Sequence, residues 1–126
     1  MNADDPLAWA RKALAQARQI LDMGMPEIAA RQAYTASARA SVALIQHSGL
    51  DAPKTHNGIK SMMHDLLRQG VGLDRSALDI LEHGYGFKFS ADYGDPEEVS
   101  DAEARDAIRL AAELIEEIER ILSGSS

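Results

Sequence analysis

Residues that could do chemistry are concentrated in the segment from His83 to Pro96, HGYGFKFSADYGDP. Aromatic rings favour burial, so we expect an ordered connection that positions the polar groups of Lys88, Asp92 and Tyr93. Lys88 could bind a phosphate, while Tyr93 could donate a hydrogen bond or transfer a proton. In the alternative, structural interpretation, a Lys88–Asp92 ion pair stabilises the connection and the Tyr93 ring packs against neighbouring side chains. The segment contains four of the chain's six aromatic residues, Tyr85, Phe87, Phe89 and Tyr93.

A second group of polar residues runs from Lys54 to Gly58 (KTHNG), just before a helical pattern. Unpaired backbone N–H groups at the start of a helix attract anions, so Lys54 and His56 could contribute to an anion-binding site. Alternatively, Thr55 or Asn57 caps the helix while Lys54 and His56 face solvent. The sequence leaves both interpretations open.

The histidines do not have the spacing of metal ligands. His56 and His64 stand eight residues apart, and Glu82 is followed directly by His83. Neither arrangement is the ExxH or HExxH pattern that builds a metal site on a helix. The GYG and DYG sequences also lack the context of a phosphate-binding P-loop. We therefore predict no metal site and no cofactor.

Composition indicates a small soluble protein. A length of 126 residues fits a single domain over residues 1–126, with residues 123–126 as a frayed tail. The chain has no cysteine, and no apolar run approaches the roughly 20 residues that span a bilayer. These features predict a cytoplasmic protein without a membrane segment. The formal net charge of −7 argues against a broadly basic nucleic-acid-binding surface but allows a local basic site.

Apolar periodicity predicts helices throughout the chain and no strands. The first runs from about Pro6 to Met23, after Asp5 as its cap. The second, rich in alanine and serine, runs from Pro26 to near Ser48 and is expected to be central because small side chains let neighbours approach. Three more follow, over about Gly58–Gln69, over Asp74–Glu82, and after a capping box at Ser100 and Glu103. The predicted architecture is all-α, an antiparallel bundle of four to five helices.

The order of these features resembles the HEPN domain, a helical nucleotide-binding family, and in particular its compact stand-alone prokaryotic members. The resemblance rests on a small-residue helix, AARQAYTASARASVALI, followed by PKTHNGIKSMMHDLL and later by ADYG at Ala91–Gly94. It covers nearly the whole chain. It implies a bundle of about five helices that pairs as a homodimer.

The resemblance also implies a function. Many HEPN proteins are metal-independent ribonucleases of toxin–antitoxin pairs, whose usual partner is a minimal nucleotidyltransferase. Their motif is an arginine followed, after four to six residues, by a histidine. Here Lys88 stands at the arginine position and Tyr93 at the histidine position, while His83 precedes Lys88 in reversed order. Lysine lacks the planar fork of arginine, and tyrosine is a poor base near neutral pH, so the motif is not intact.

The resulting hypothesis is the HEPN component of a toxin–antitoxin-type pair that acts on or binds RNA or a nucleotide. Lys88 and Tyr93 are the candidate catalytic residues, and the candidate binding residues are Lys54, His56, Asp92 and His83. The alternatives are a non-catalytic dimeric nucleotide-binding or protein-interaction module, and a small acidic helical adaptor. Ribonuclease activity stays open, because the catalytic motif is altered.

Overall fold

The computed structural model describes residues 5–82 and 99–124, and most of these residues are helical. In chain order the helices are α1 (Pro6–Asp22), α2 (Pro26–His47), α3 (His56–Gln69), α4 (helical over residues 76–82) and α5 (Asp101–Leu122). The described residues contain no strand. The predicted all-α bundle is confirmed. None of the described helices is long and apolar enough to cross a membrane.

Local hydrogen bonds explain where most helices begin. The Asp5 carboxylate accepts bonds from the N–H groups of Leu7 and Ala8, and Pro6 occupies the first helical position of α1. The predicted capping box of α5 is present, with Ser100 Oγ accepting from the Glu103 N–H and the Glu103 carboxylate accepting from the Ser100 N–H. Such caps satisfy backbone donors that have no partner inside the helix.

Two predicted helix starts were wrong by two residues. The third helix begins at His56 rather than at Gly58, because Thr55 is its cap and accepts a hydrogen bond from the Gly58 N–H. The fourth begins at residue 76 rather than at Asp74, whose carboxylate accepts a hydrogen bond from the Ser76 N–H. The first correction matters for function, since it places His56 within the first helical turn and fixes the direction of its side chain.

Helix α2 is the central element, as its composition predicted. It packs against α1, α5 and α3. Alanine side chains provide most of its buried surface and allow the neighbouring helices to come close. The larger buried groups of the core come from several helices, and they include Leu44, Ile45, Met63, Leu66, Leu81, Leu114 and Ile118. One face of α2 packs against α1 and α5. A second face lies opposite the loop before α3.

Candidate functional site

A groove lies between that second face of α2 and the loop that leads into α3. This α2–α3 groove has a volume of about 680 Å³. Along α2 it extends from Tyr34 to Gln46, which corresponds to about 18 Å at a rise of about 1.5 Å per residue. The facing wall is formed by the loop and the first turns of α3, through Ala52, Pro53, Lys54, His56 and Ile59.

Two cationic side chains border the groove, and they come from different elements. Arg39 projects from α2 and Lys54 from the loop, and both residues are exposed. None of the described residues that line the groove is acidic. Thr35 and Gln46 add uncharged polar groups, while Ala38 and Val42 give the floor an apolar surface. The groove therefore combines local positive charge with an apolar floor in a protein whose net charge is −7.

Close packing at Gly58 supports the loop wall. A Cβ atom at this position would lie 2.6 Å from Pro53 Cβ and 3.0 Å from Thr55 Oγ1, distances that real Cβ atoms avoid. The absence of a side chain at Gly58 lets Pro53 rest against the start of α3. Lys54, the next residue, is thereby held at the edge of the groove.

His56 lies at one end of the groove and connects three helices. Its Nδ1 atom lies 2.9 Å from the Tyr34 hydroxyl oxygen on α2, and its Nε2 atom lies 3.2 Å from Glu82 Oε1 on α4. Only 9% of the His56 side chain is exposed. The rings of Tyr34 and His56 are also in contact, with their centroids 5.8 Å apart. We refer to this arrangement as the Tyr34–His56–Glu82 chain.

The Glu82 carboxylate is ionised at neutral pH and determines which ring nitrogen of a neutral His56 carries the proton. Its pKa is lowered from the ordinary value, chiefly because it accepts a hydrogen bond from Lys60 and secondly because it accepts one from His56. A carboxylate can only accept, so the neutral His56 ring carries its proton on Nε2. Its Nδ1 atom is then an acceptor, and the Tyr34 hydroxyl donates to it.

A comparison with family models gives a match to the HEPN domain over residues 4–121. The match spans nearly all of the chain. This chain belongs to the HEPN family. The resemblance inferred from the KTHNG and ADYG segments is thus confirmed for the family and for the all-α fold. A search of curated proteins gives no match.

The structure of this HEPN protein describes only some of the predicted site residues. Lys54 and His56 both line the α2–α3 groove. Lys88 and Tyr93, the candidate catalytic residues, lie outside the described residues, as do the candidate binding residues His83 and Asp92. The alternative in which Thr55 caps α3 is right about the cap and about the exposure of Lys54. It is wrong about His56, which packs against Tyr34 instead of facing solvent.

Three residues of the groove and of the Tyr34–His56–Glu82 chain were not predicted from the sequence. They are Tyr34, Arg39 and Glu82. Tyr34 and Arg39 belong to a helix whose small residues pointed to packing. The available signal was the stripe at every fourth position, Tyr34, Ala38, Val42 and Gln46, which follows a face distinct from the buried alanines. The contact of Glu82 with His56 joins residues 26 positions apart and has no local signal.

Within the described ranges, no group of three or more histidine, cysteine or carboxylate side chains is placed to hold a metal ion. His64 is exposed on α3 and does not line the groove, so it does not join His56 in one site. The groove itself is lined by the cations Arg39 and Lys54 and by the polar side chains of Thr35 and Gln46.

Proposed function

We propose that this protein is the HEPN component of a toxin–antitoxin-type pair with a minimal nucleotidyltransferase, and that it binds RNA or a nucleotide through phosphate groups. Binding takes place in the α2–α3 groove, and the Lys88–Tyr93 segment, which lies outside the described residues, keeps the catalytic role that the sequence predicts for it. The observation that carries the proposal is the pair of cations, Arg39 and Lys54, on the walls of a groove with no acidic residue among its described lining. The proposal also places the protein in the cytoplasm.

The two cations supply different kinds of phosphate contact. The guanidinium of Arg39 is planar and can bind two phosphate oxygens at once, whereas the ammonium group of Lys54 acts as a compact charge. Ala38 and Val42 give a nucleoside an apolar surface between them. Because only a few cations contribute, we expect a modest dependence on salt, with a slope of roughly −0.7 for each phosphate contacted on a single strand.

The oligomeric part of the proposal is a homodimer, which the family resemblance implies. Light scattering at micromolar concentration should then give a mass near twice the 13.7 kDa of one chain. A mass of one chain would remove this part of the proposal without affecting the groove.

A second candidate function is a non-catalytic nucleotide-binding or protein-interaction module. Two observations favour it. The sequence has Lys88 and Tyr93 where ribonucleases of the family have arginine and histidine. In addition, both ring nitrogens of His56 are hydrogen-bonded within the protein, to Tyr34 and to Glu82. A histidine that acts as a base must reach the proton it removes, and these bonds compete with that role.

Growth of cells that express the protein without its partner tests the proposed function. We expect growth arrest, relieved by the double substitution Arg39→Ala and Lys54→Ala because phosphate binding is lost. Lys88→Ala or Tyr93→Phe should relieve it as well if these residues act on the RNA. Arg105→Ala is the matched control, since Arg105 is exposed on α5 and does not line the groove. Unimpaired growth with the wild-type chain at high expression would contradict the toxin assignment and favour the non-catalytic module.

A further inference from the structure

Gly58 differs from the other glycines that the structure describes. The others have a positive φ, a conformation that favours glycine because a side chain would be strained there. Gly58 instead lies in the first turn of α3, where alanine is the more favourable residue for a helix. Its backbone conformation therefore gives no reason for a glycine, and the reason must lie in its surroundings. The glycines with a positive φ are Gly24, Gly49, Gly70, Gly72 and Gly124.

The surroundings of Gly58 are the tightest of any described glycine. A Cβ atom there would lie 2.6 Å from Pro53 Cβ, 3.2 Å from Pro53 Cγ and 3.0 Å from Thr55 Oγ1. At the other described glycines such an atom would meet nothing within 4 Å, except at Gly72, where Ile121 Cγ1 would be 3.7 Å away. Because a proline ring and a helix cap approach Gly58, a side chain could not be accommodated by turning a flexible chain end.

The two residues that approach Gly58 are the sequence neighbours of Lys54. Pro53 precedes Lys54 and Thr55 follows it. Thr55 also accepts two hydrogen bonds from α3, one from the Gly58 N–H to its Oγ1 and one from the Ile59 N–H to its carbonyl oxygen, each 3.0 Å long. The backbone of Lys54 is thus held on both sides against the first turn of α3.

We propose that Gly58 is a positioning residue for phosphate binding: by admitting Pro53 and Thr55, it fixes Lys54 on the groove wall that faces Arg39. Gly58 itself is not among the residues that line the groove. The inference rests on the proposed function and deepens it, because Lys54 contacts a phosphate only if the groove binds one. It gives a reason for the last residue of the KTHNG segment, which the cap and the lining residues leave unexplained.

The two cations of the groove differ in how their backbones are held. Arg39 stands on α2, the central helix of the bundle, whereas Lys54 belongs to the connection of residues 48–55 between α2 and α3. A loop residue that is already held in place loses less conformational freedom when a ligand binds. Gly58 should therefore strengthen binding through Lys54 without contacting the ligand.

A purely structural role for Gly58 makes a different prediction. In that case a substitution would change the stability of the fold, and any loss of affinity would be the same whether or not Lys54 is present. A positioning role requires that the loss of affinity depend on Lys54. A cycle of single and double substitutions measures this dependence directly.

The experiment measures the affinity of the full chain for hexauridylate with hydroxyl groups at both ends, by fluorescence anisotropy near pH 7. Gly58→Ala should weaken binding about fivefold when Lys54 is present, and by less than about twofold in the Lys54→Ala background. The matched control combines Gly58→Ala with Arg39→Ala. Their effects should multiply, because Arg39 is held by a separate element.

The salt dependence of binding gives a second readout, which a structural role would not change. On a single strand, each phosphate contact contributes roughly 0.7 to the slope of the logarithm of affinity against that of salt concentration. Gly58→Ala and Lys54→Ala should each reduce the steepness of this slope by about that amount. In the Lys54→Ala background, Gly58→Ala should leave the slope unchanged.

Pro53→Gly keeps the inference testable if circular dichroism shows that Gly58→Ala does not fold. This substitution removes the ring that rests on Gly58 and leaves the Thr55 cap of α3 in place. Its loss of affinity should also disappear in the Lys54→Ala background. Loss of a direct contact between Pro53 and the ligand would persist there, and that result would contradict the positioning role.

Three results would overturn the inference, and they separate it from the proposed function. Unchanged affinity of Gly58→Ala, or equal losses with and without Lys54, would overturn the inference alone, provided that Lys54→Ala itself weakens binding. Wild-type affinity in both Lys54→Ala and Arg39→Ala would remove the proposed function, and the inference with it.

Discussion

At the scale of single residues, Glu82 joins α4 to α3 through two bonds. It accepts hydrogen bonds from Lys60 and from His56. The Lys60 bond is the larger cause of its lowered pKa, and the His56 bond is the second. A lowered pKa means that the ionised form stabilises the folded state. This contribution is present above the ordinary value of about 4.3 and is lost as pH falls through the lower folded value.

Glu82→Gln should therefore lower the melting temperature near pH 6.5, and the difference from the wild type should shrink as the pH falls below the ordinary pKa of a glutamate. The effect should be small, because the carboxylate is half exposed and solvent screens its ion pair with Lys60. Thermal unfolding followed by circular dichroism measures both variants across that range. Glu116→Gln is the control: Glu116 is exposed on α5 and forms no ion pair with the described residues. A difference for Glu82→Gln that stays constant down to pH 3 would contradict the assignment.

The sequence predicted part of the site. Lys54 and His56 could be proposed because KTHNG stands before a helical pattern, and both residues do line the groove. The burial of His56 could not be predicted, since it depends on Tyr34, 22 residues earlier in the chain. The place of Arg39 at the groove could not be predicted either, because it follows from where the loop packs against α2.

At the scale of elements, the helices were predictable because their starts and stops are local. Asp5 with Pro6 and the Ser100–Glu103 pair act within a few residues, and each sits where the sequence indicated. The start of α3 was less certain because Thr55 and Asn57 could both cap it. Only Thr55 has its side chain bonded to the Gly58 N–H, with an extended backbone that suits a cap.

Loss of the Thr55 cap of α3 or of the Ser100 cap of α5 should destabilise the fold, but only loss of the Thr55 cap should affect ligand binding. Thr55→Ala and Ser100→Ala should each lower the free energy of unfolding by about 1 kcal/mol, as measured by urea denaturation. In the sequence Thr55 stands between Lys54 and His56, which both line the groove, so Thr55→Ala should also weaken the binding of hexauridylate, a single-stranded RNA of six uridines, by about threefold. Ser100, at the start of α5, should leave affinity unchanged. Equal affinities for the two variants would show that the cap of α3 does not position the groove.

At the scale of the whole molecule, the distribution of charge matters more than its sum. A net charge of −7 predicts that most of the surface repels a polyanion. Arg39 and Lys54 are brought together by the fold from α2 and from the loop before α3. This juxtaposition could not be predicted from the sequence, because it depends on how α2 uses its second face. The bundle itself could be predicted from the sequence, because α2 carries small residues along the face that packs against α1 and α5.

Phosphate binding in the α2–α3 groove is the premise of the proposed function. The measurement is the affinity for hexauridylate, by fluorescence anisotropy near pH 7 and low salt, of the wild type, of the Arg39→Ala and Lys54→Ala double variant, and of Arg105→Ala. We expect the double variant to bind at least about tenfold more weakly, since two charged contacts are lost, and Arg105→Ala to bind within about twofold of the wild type. A double variant that binds as tightly as the wild type would show that phosphate does not bind between Arg39 and Lys54.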